Sequence, residues 1–469
     1  MIQSLREEVR SVLVLAAPLA LMQLGLVLYG TVDTLFVGRL GAQAIAAVGL
    51  ASSTYFLLAI FGIGMTVGAD ALISRAFGAG RPEVCAALLI HSAALSLCVA
   101  APIFLLLDLA GPVFQLIGVQ AEVAQAALSY IRVLRYGIFP TLLFTSCRQY
   151  LQAMDITRPQ LLAVLTGNLV NAGLCWTLIF GRLGAPALGI QGGAYATLAA
   201  SFWMFLVAAL AALERMRGIS FRFRGFRAKL FTDLLSLGIP AGAQMLVEVS
   251  AFSLMAMFCG RLGAVPLASH QVTINLVSLT FMVPLGISFA AAVRVGQGMG
   301  RGDPGAAVRS GYAALGIAVA FMSMTSLLFL TTGRAIVGCF TGDPEVLALG
   351  TRLLLVGALF QICDGMQVTL TGSLRGLRET RIPMVANFFG HWLIGVPLGF
   401  FLAFKAGLGA LGLWLGLCTG LVLVAFSLLF VWRKKTLALG LFADEQQEPG
   451  TQGRQQEGNG REPDQALLL

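Results

Sequence analysis

Apolar residues run along this chain in twelve stretches, separated by short segments rich in arginine, glycine and proline. The stretches cover 11–37, 44–68, 86–110, 124–147, 160–181, 187–213, 231–258, 265–290, 306–332, 346–372, 383–404 and 409–432. Each is close to the ~20 residues that a helix needs to cross the hydrocarbon of a bilayer. The runs are uniformly apolar, whereas strands of a membrane barrel would alternate in ~10-residue segments. A membrane-embedded backbone must satisfy its own hydrogen bonds, so the pattern predicts twelve transmembrane helices and an all-α integral membrane protein.

The pattern also repeats. Gly38-Arg39-Leu40-Gly41-Ala42 recurs as Gly260-Arg261-Leu262-Gly263-Ala264, 222 residues later. At the same offset Pro18 meets Pro240, Gly64 meets Gly286, Gly78 and Gly80 meet Gly300 and Gly302, and Pro82 meets Pro304. Ala187-Leu188-Gly189 returns as Ala410-Leu411-Gly412 at an offset of 223. The expected architecture is two homologous six-helix lobes, 1–213 and 231–433, joined by a basic linker at 214–230. Six is even, so both lobes enter the membrane in the same sense, related by a pseudo-two-fold axis near the membrane normal. That arrangement suits a transporter whose lobes rock about a site between or within them.

Composition sharpens this picture. Hydrophobic residues make up 58% of the 469 and charged ones 11%, less than half the charge a soluble domain carries. The net charge of +9 is unevenly placed. If both termini are cytoplasmic, the inner segments hold 21 lysines and arginines, from Arg6 to Lys435, and the outer loops hold Arg39, Arg182, Arg261, Arg334 and Lys405. This is the positive-inside bias and a contact with anionic lipid, not a nucleic-acid surface. The start reads as a first span rather than a removed signal peptide. Residues 434–469, rich in Gln, Glu, Gly and Pro, are expected to form a disordered, dispensable tail. The eight cysteines lack metal spacing and read as small buried hydrophobes, Cys98, Cys175 and Cys418 among them.

Three acidic residues fall inside spans: Asp33, Glu248 and Asp364. No lysine or arginine is expected at their depth. An unpaired carboxylate in low dielectric must hold a proton or a cation, which is what a coupling site requires, and it attracts cationic substrates. Polar stripes accompany them. Gln244 precedes Glu248 by one turn; Gln361, Asp364, Gln367 and Thr371 share a helix face; Gln271, Asn275 and Ser278 form a second stripe, and Asn168 with Asn171 a third. Such stripes line a cavity or bond neighbouring helices. Asp70, beside Ser74 and Arg75, is expected to serve a local ionic or capping role, and His91, His270 and His391 structural ones. Phosphate-loop, HExxH and GxSxG motifs are absent, so neither direct use of ATP nor hydrolytic chemistry is expected: the chain is not read as an enzyme and needs no cofactor.

The motifs, taken together, resemble the multidrug and toxic compound extrusion (MATE) family, in its bacterial NorM-like branch. The resemblance covers about 8–433. It rests on Val32-Asp33-Thr34 leading to Gly38-Arg39-Leu40-Gly41, on Ala76-Phe77-Gly78-Ala79-Gly80, on Ala268-Ser269-His270-Gln271-Val272 with Asn275, on Ala291-Ala292-Val293-Arg294-Val295-Gly296, and on Thr371-Gly372-Ser373-Leu374-Arg375-Gly376. The resemblance implies efflux of cationic or amphiphilic drugs against inward H+ or Na+, in a bacterial inner membrane, by a chain that works as a monomer. It implies Asp33 as the amino-lobe proton site, and Glu248 with Asp364 as the carboxy-lobe cation site, where Na+ is the alternative to H+. The chain departs from the family pattern in carrying Arg75 where relatives have an uncharged polar residue, and in Asp70. Phe360 supplies no hydroxyl for a sodium cage, which leans the ion toward protons. The competing expectations are a lipid-linked sugar flippase of the wider superfamily, which would need basic residues in its cavity, and a non-transporting receptor or scaffold.

Overall fold

A computed structural model describes residues 2–116, 118–217, 219 and 226–447. It is all-helical among these residues. Eleven helices are long and apolar enough to cross a membrane: α1 (Arg6–Leu40), α2 (Gln43–Gly78), α3 (Pro82–Leu116), α5 (Arg158–Phe180), α6 (Ile190–Arg217), α7 (Ala228–Leu262), α8 (Ala264–Gly300), α9 (Pro304–Gly338), α10 (Pro344–Gly376), α11 (Arg381–Lys405) and α12 (Gly409–Gly440). The twelfth expected span, 124–147, is α4, built in two pieces: Ala121–Leu134 and Ile138–Ala153, joined by a 3-10 turn at Arg135–Gly137. Arg135 at that turn pairs with Asp108 and stacks on Phe104, so the fourth span is the least uniformly apolar of the twelve.

The helices outrun the apolar stretches mainly at one face, the one where α1 begins and α12 ends. We call it the terminal face, and its opposite the distal face. A hydropathy run ends where hydrocarbon ends, whereas backbone hydrogen bonding carries the helix on. The largest consequence is at the carboxy end. Residues 434–447, expected to be disordered, continue the α12 helix through Gln447. Thr436-Leu437-Ala438-Leu439 extends the apolar pattern, Lys435 pairs with Glu379 at 3.0 Å, and Thr436 is buried. The remainder of the tail, 448–469, lies outside the described residues. The linker is likewise shorter than expected: α6 runs to Arg217 and α7 begins at Ala228. Of the residues between, 218 and 220–225 lie outside the described ones.

The repeat is written in the backbone as well as in the sequence. Gly41 and Gly263 both take positive φ (109° and 124°), as do Gly80 and Gly302 (68° and 74°). Asp155 and Arg378 occupy equivalent positions and share the left-handed conformation, at 62° and 65°, which is uncommon for residues with a Cβ. The two lobes are therefore the same chain path used twice.

Where the lobes meet, glycine sets the distance. A Cβ at Gly64 would lie 2.6 Å from Gly242 Cα, one at Gly68 2.9 Å from Gly238 N, and one at Gly286 2.6 Å from Ala20 N. Without a driving force from water, such close backbone approach supplies the packing between membrane helices. These contacts belong to the terminal half of each helix. There Gly64–Ser74 of α2 and Gly286–Val293 of α8 are buried throughout. Side-chain bonds between lobes follow the same division. Among the described residues they link Glu8 to Arg294 and Ser310, Asp70 to Arg375, and Gln297 to Ala153 and Asp155. All are on the terminal half. Toward the distal face, Gln271 and Asn275 stand exposed on α8. Outward faces of the bundle carry exposed Leu, Phe and Val side chains such as Leu28, Leu169, Leu206, Met324, Leu359 and Phe430, the surface that lipid covers. Cys98 and Cys339 are exposed as well, unlike the buried positions expected of all eight cysteines.

Candidate functional site

In the amino lobe, α1 places Asp33 in the interior, 7% exposed. Its oxygens accept a hydrogen bond from Thr197 Oγ1 of α6 at 2.7 Å and a weak one from Cys175 Sγ of α5 at 3.5 Å. Asn171, one turn before Cys175, also accepts from the Cys175 thiol, at 3.7 Å. Tyr29, one turn before Asp33, donates to Thr197 O at 2.6 Å, and the buried Tyr130 of α4 bonds Thr197. Every donor around Asp33 is neutral, and none of the ion pairs among the described residues involves it. A carboxylate so enclosed is solvated by dipoles that cannot cancel its charge, so a proton or a cation must do so when it is shut off from water.

Of this cage the sequence named Asp33 and Asn171. Cys175 was read only as a small buried hydrophobe, and Thr197, Tyr29 and Tyr130 went unnamed. Tyr29 carried a usable signal, since i and i+4 share a helix face; Thr197 is one of many hydroxyls in spans and has none. Asn168 plays a different part from Asn171: it donates to Gly25 O at 3.0 Å and Val164 O at 2.9 Å, tying α5 to α1.

In the carboxy lobe, α7 and α10 bring Glu248 and Asp364 near enough to repel one another. Gln367, one turn beyond Asp364, donates to Asn387 Oδ1 of α11 at 3.0 Å. Gln361, one turn before Asp364, donates to Thr280 of α8 and Thr325 of α9 at 2.6 and 3.1 Å. The α10 face is thus a buried polar stripe whose amides tie it to α8, α9 and α11. Gln244 is buried one turn from Glu248, while Gln271 and Asn275 on α8 are exposed. Here too no cation pairs with either acid among the described residues. Phe360 packs on Trp414, ring centroids 5.7 Å apart, and adds no oxygen to the site. His270 accepts a hydrogen bond from Trp414 Nε1. His391 bonds the Asn387 carbonyl inside a π-helical segment, Phe388–Gly395. His91 accepts from Arg227 N at 2.9 Å.

Basic residues are placed differently from expectation. Arg148 and Arg375, assigned from sequence to the inner segments, are buried within helices, each 4% exposed, on either side of Phe289. Asp70 is ionic, but its partner is Arg375 of the other lobe at 3.2 Å, not the neighbouring Arg75. Helix α2 restarts at Gly68 and turns Asp70 toward the lobe interface. This cluster lies on the terminal side and leaves Asp33, Glu248 and Asp364 without cations.

Comparison with known proteins is consistent throughout. The MatE family model matches residues 18–177 and again 240–401, one match in each lobe. A probable multidrug resistance protein NorM of Burkholderia mallei (strain ATCC 23344) is 39% identical over 442 residues, covering 92% of this chain and 93% of that protein. The multidrug resistance protein NorM of Burkholderia vietnamiensis is 39% identical over 437 residues, covering 91% and 94%. Among solved structures, the eukaryotic MATE transporter AtDTX14 superposes with a TM-score of 0.83 at 22% identity, covering 93% of this chain and 99% of that one. An outward-facing multidrug resistance MATE family transporter superposes with a TM-score of 0.83 at 21% identity, covering 94% and 98%. Twelve helices in two repeated lobes, the family model matched once in each, and near-complete alignment with NorM proteins lead to one conclusion: the chain belongs to the MATE family, in its NorM-like branch, and is a multi-pass membrane transporter rather than an enzyme.

Proposed function

We propose that this transporter exports organic cations and amphiphilic drugs in exchange for inward H+, with Na+ as the alternative coupling ion, by rocking its two lobes. The observation that carries the reading is Asp33, buried among neutral donors with no cation. A proton bound there can be released when drug or solvent reaches the carboxylate, and the empty charge then draws a cationic substrate. Glu248 and Asp364 supply a second site of the same character in the other lobe, with Gln244, Gln271, Asn275, Gln361 and Gln367 as its polar surroundings. Both termini are cytoplasmic in this reading, so lobes closed at the terminal face leave the distal face toward the outside. The membrane is a bacterial inner membrane, and two repeated lobes suffice for a working monomer.

The test is ethidium efflux from proteoliposomes under an imposed pH gradient or an imposed sodium gradient. Flux driven by the pH gradient, and lost in Asp33→Asn, is the expected result; flux driven by sodium alone would assign the other ion. Absence of flux under either gradient for a panel of organic cations, from folded protein, would reject the antiporter reading.

A further inference from the structure

The repeat builds two seams between the lobes at the terminal face, and they are chemically unlike. One seam is polar. Glu8 accepts from Arg294 at 3.2 Å and from Ser310 at 2.7 Å, while Gln297 donates to Asp155 at 3.0 Å. At the 222-residue offset Glu8, Arg294 and Ser310 correspond to Leu230, Leu72 and Leu88, and Gln297 to Arg75. At 223, Asp155 corresponds to Arg378. The counterparts of the polar latch therefore form three leucines and two arginines, and these residues line one pocket. Arg81 and Asp233 complete its rim.

Arginines outnumber acids in the lining of this pocket. Asp233 is 3.8 Å from Arg378, and Arg75 of the amino lobe lines the same pocket. Where the first seam pairs a carboxylate with an amide, this one gathers Arg75 and Arg378 around a single pocket. Asp233 answers one of these guanidinium charges, and a phosphate in the pocket would answer the other. Guanidinium groups match phosphate geometry, and the leucine floor offers an apolar surface beneath it. The pocket lies at the terminal face, between helices of the two lobes, and basic pockets of this kind on the cytoplasmic side take anionic lipid head groups.

We propose that this pocket binds the phosphate head group of an anionic phospholipid, with the leucine floor against its glycerol and upper acyl carbons. Leu72, Arg75 and Leu88 come from the amino lobe, and Leu230, Asp233 and Arg378 from the carboxy lobe. The lipid bridges them, favours the conformation closed at the terminal face, and is released as the lobes part. Nothing in this depends on which substrate or ion is transported.

Thermal unfolding of the detergent-purified protein tests the site, with dioleoyl-phosphatidylglycerol, dioleoyl-phosphatidylcholine or sodium phosphate added. Phosphatidylglycerol is expected to raise the midpoint more than the other two. Arg75→Gln installs the residue that the repeat carries at Gln297, and Arg378→Asn keeps a side chain tolerant of positive φ; both should fold. Each is expected to weaken phosphatidylglycerol about fivefold, and the double variant to lose most of the shift. Arg158→Gln and Arg301→Gln, exposed on the same face, should keep it. Equal loss in those controls would show diffuse attraction to surface charge, and an equal effect of sodium phosphate would show a soluble anion; either overturns the lipid site. So would a phosphatidylglycerol shift unchanged in Arg75→Gln with Arg378→Asn.

Discussion

Asp33 illustrates how much depends on a single neutral donor. Thr197 Oγ1 lies 2.7 Å from its carboxylate, and the same hydroxyl is 2.9 Å from Gly193 O. A hydroxyl has one proton, so it can serve the carboxylate or the backbone but not both. The two arrangements suit the charged and neutral forms of Asp33 respectively. Thr197→Val keeps the volume and removes the choice. A hydrogen bond to a charged group contributes about 1.5–3 kcal/mol, so ethidium efflux should fall roughly tenfold or more in that variant. Thr197→Ser should retain transport. A Thr197→Val protein that transports normally would remove Thr197 from the coupling site.

At the scale of elements, the twelve spans were legible because hydropathy and length are properties of consecutive residues. Their ends were not, since helix α12 continues through residues whose sequence lacks a membrane signal. The internal surfaces depend on backbone approach. Gly242 of α7 has Phe61 O of α2 2.7 Å from where its Cβ would be, and backbone cannot swing aside as a side chain can. Gly242→Leu should therefore force α7 away from α2. Overpacking of this kind typically costs about 1–3 kcal/mol, enough to shift a two-state equilibrium. Spin labels at positions 158 and 301, both exposed on the terminal face, should report a longer distance than in the parent protein. An unchanged distance would mean that the glycine contacts do not set the lobe spacing.

For the whole molecule, the Asp70–Arg375 pair is the buried ionic link between the lobes, at 0% and 5% side-chain exposure. Opening the terminal face requires it to part. Removing one partner of a buried pair typically costs about 3–5 kcal/mol, because the other charge is left stranded. Asp70→Asn would strand two, Arg375 and the neighbouring Arg148. A clear fall in Tm is expected for Asp70→Asn, and a smaller one when Arg375→Met is added to it. Additive losses would show that the two residues act separately.

By itself the sequence determined the membrane class, the twelve spans, the duplication and the three acidic residues within spans, which have no ion-pair partner among the described residues. Each of these is carried by local composition or by comparing the chain with itself, so no contact need be known. Partners were another matter. Asp70 finds Arg375 across 305 residues, and Thr197 finds Asp33 across 164. Helix rotation and lobe packing decide such meetings, and neither is written in hydropathy. The contrast between the two terminal seams needed both: the repeat says which residues correspond, and only the folded lobes show that one set bonds to itself while the other lines a pocket.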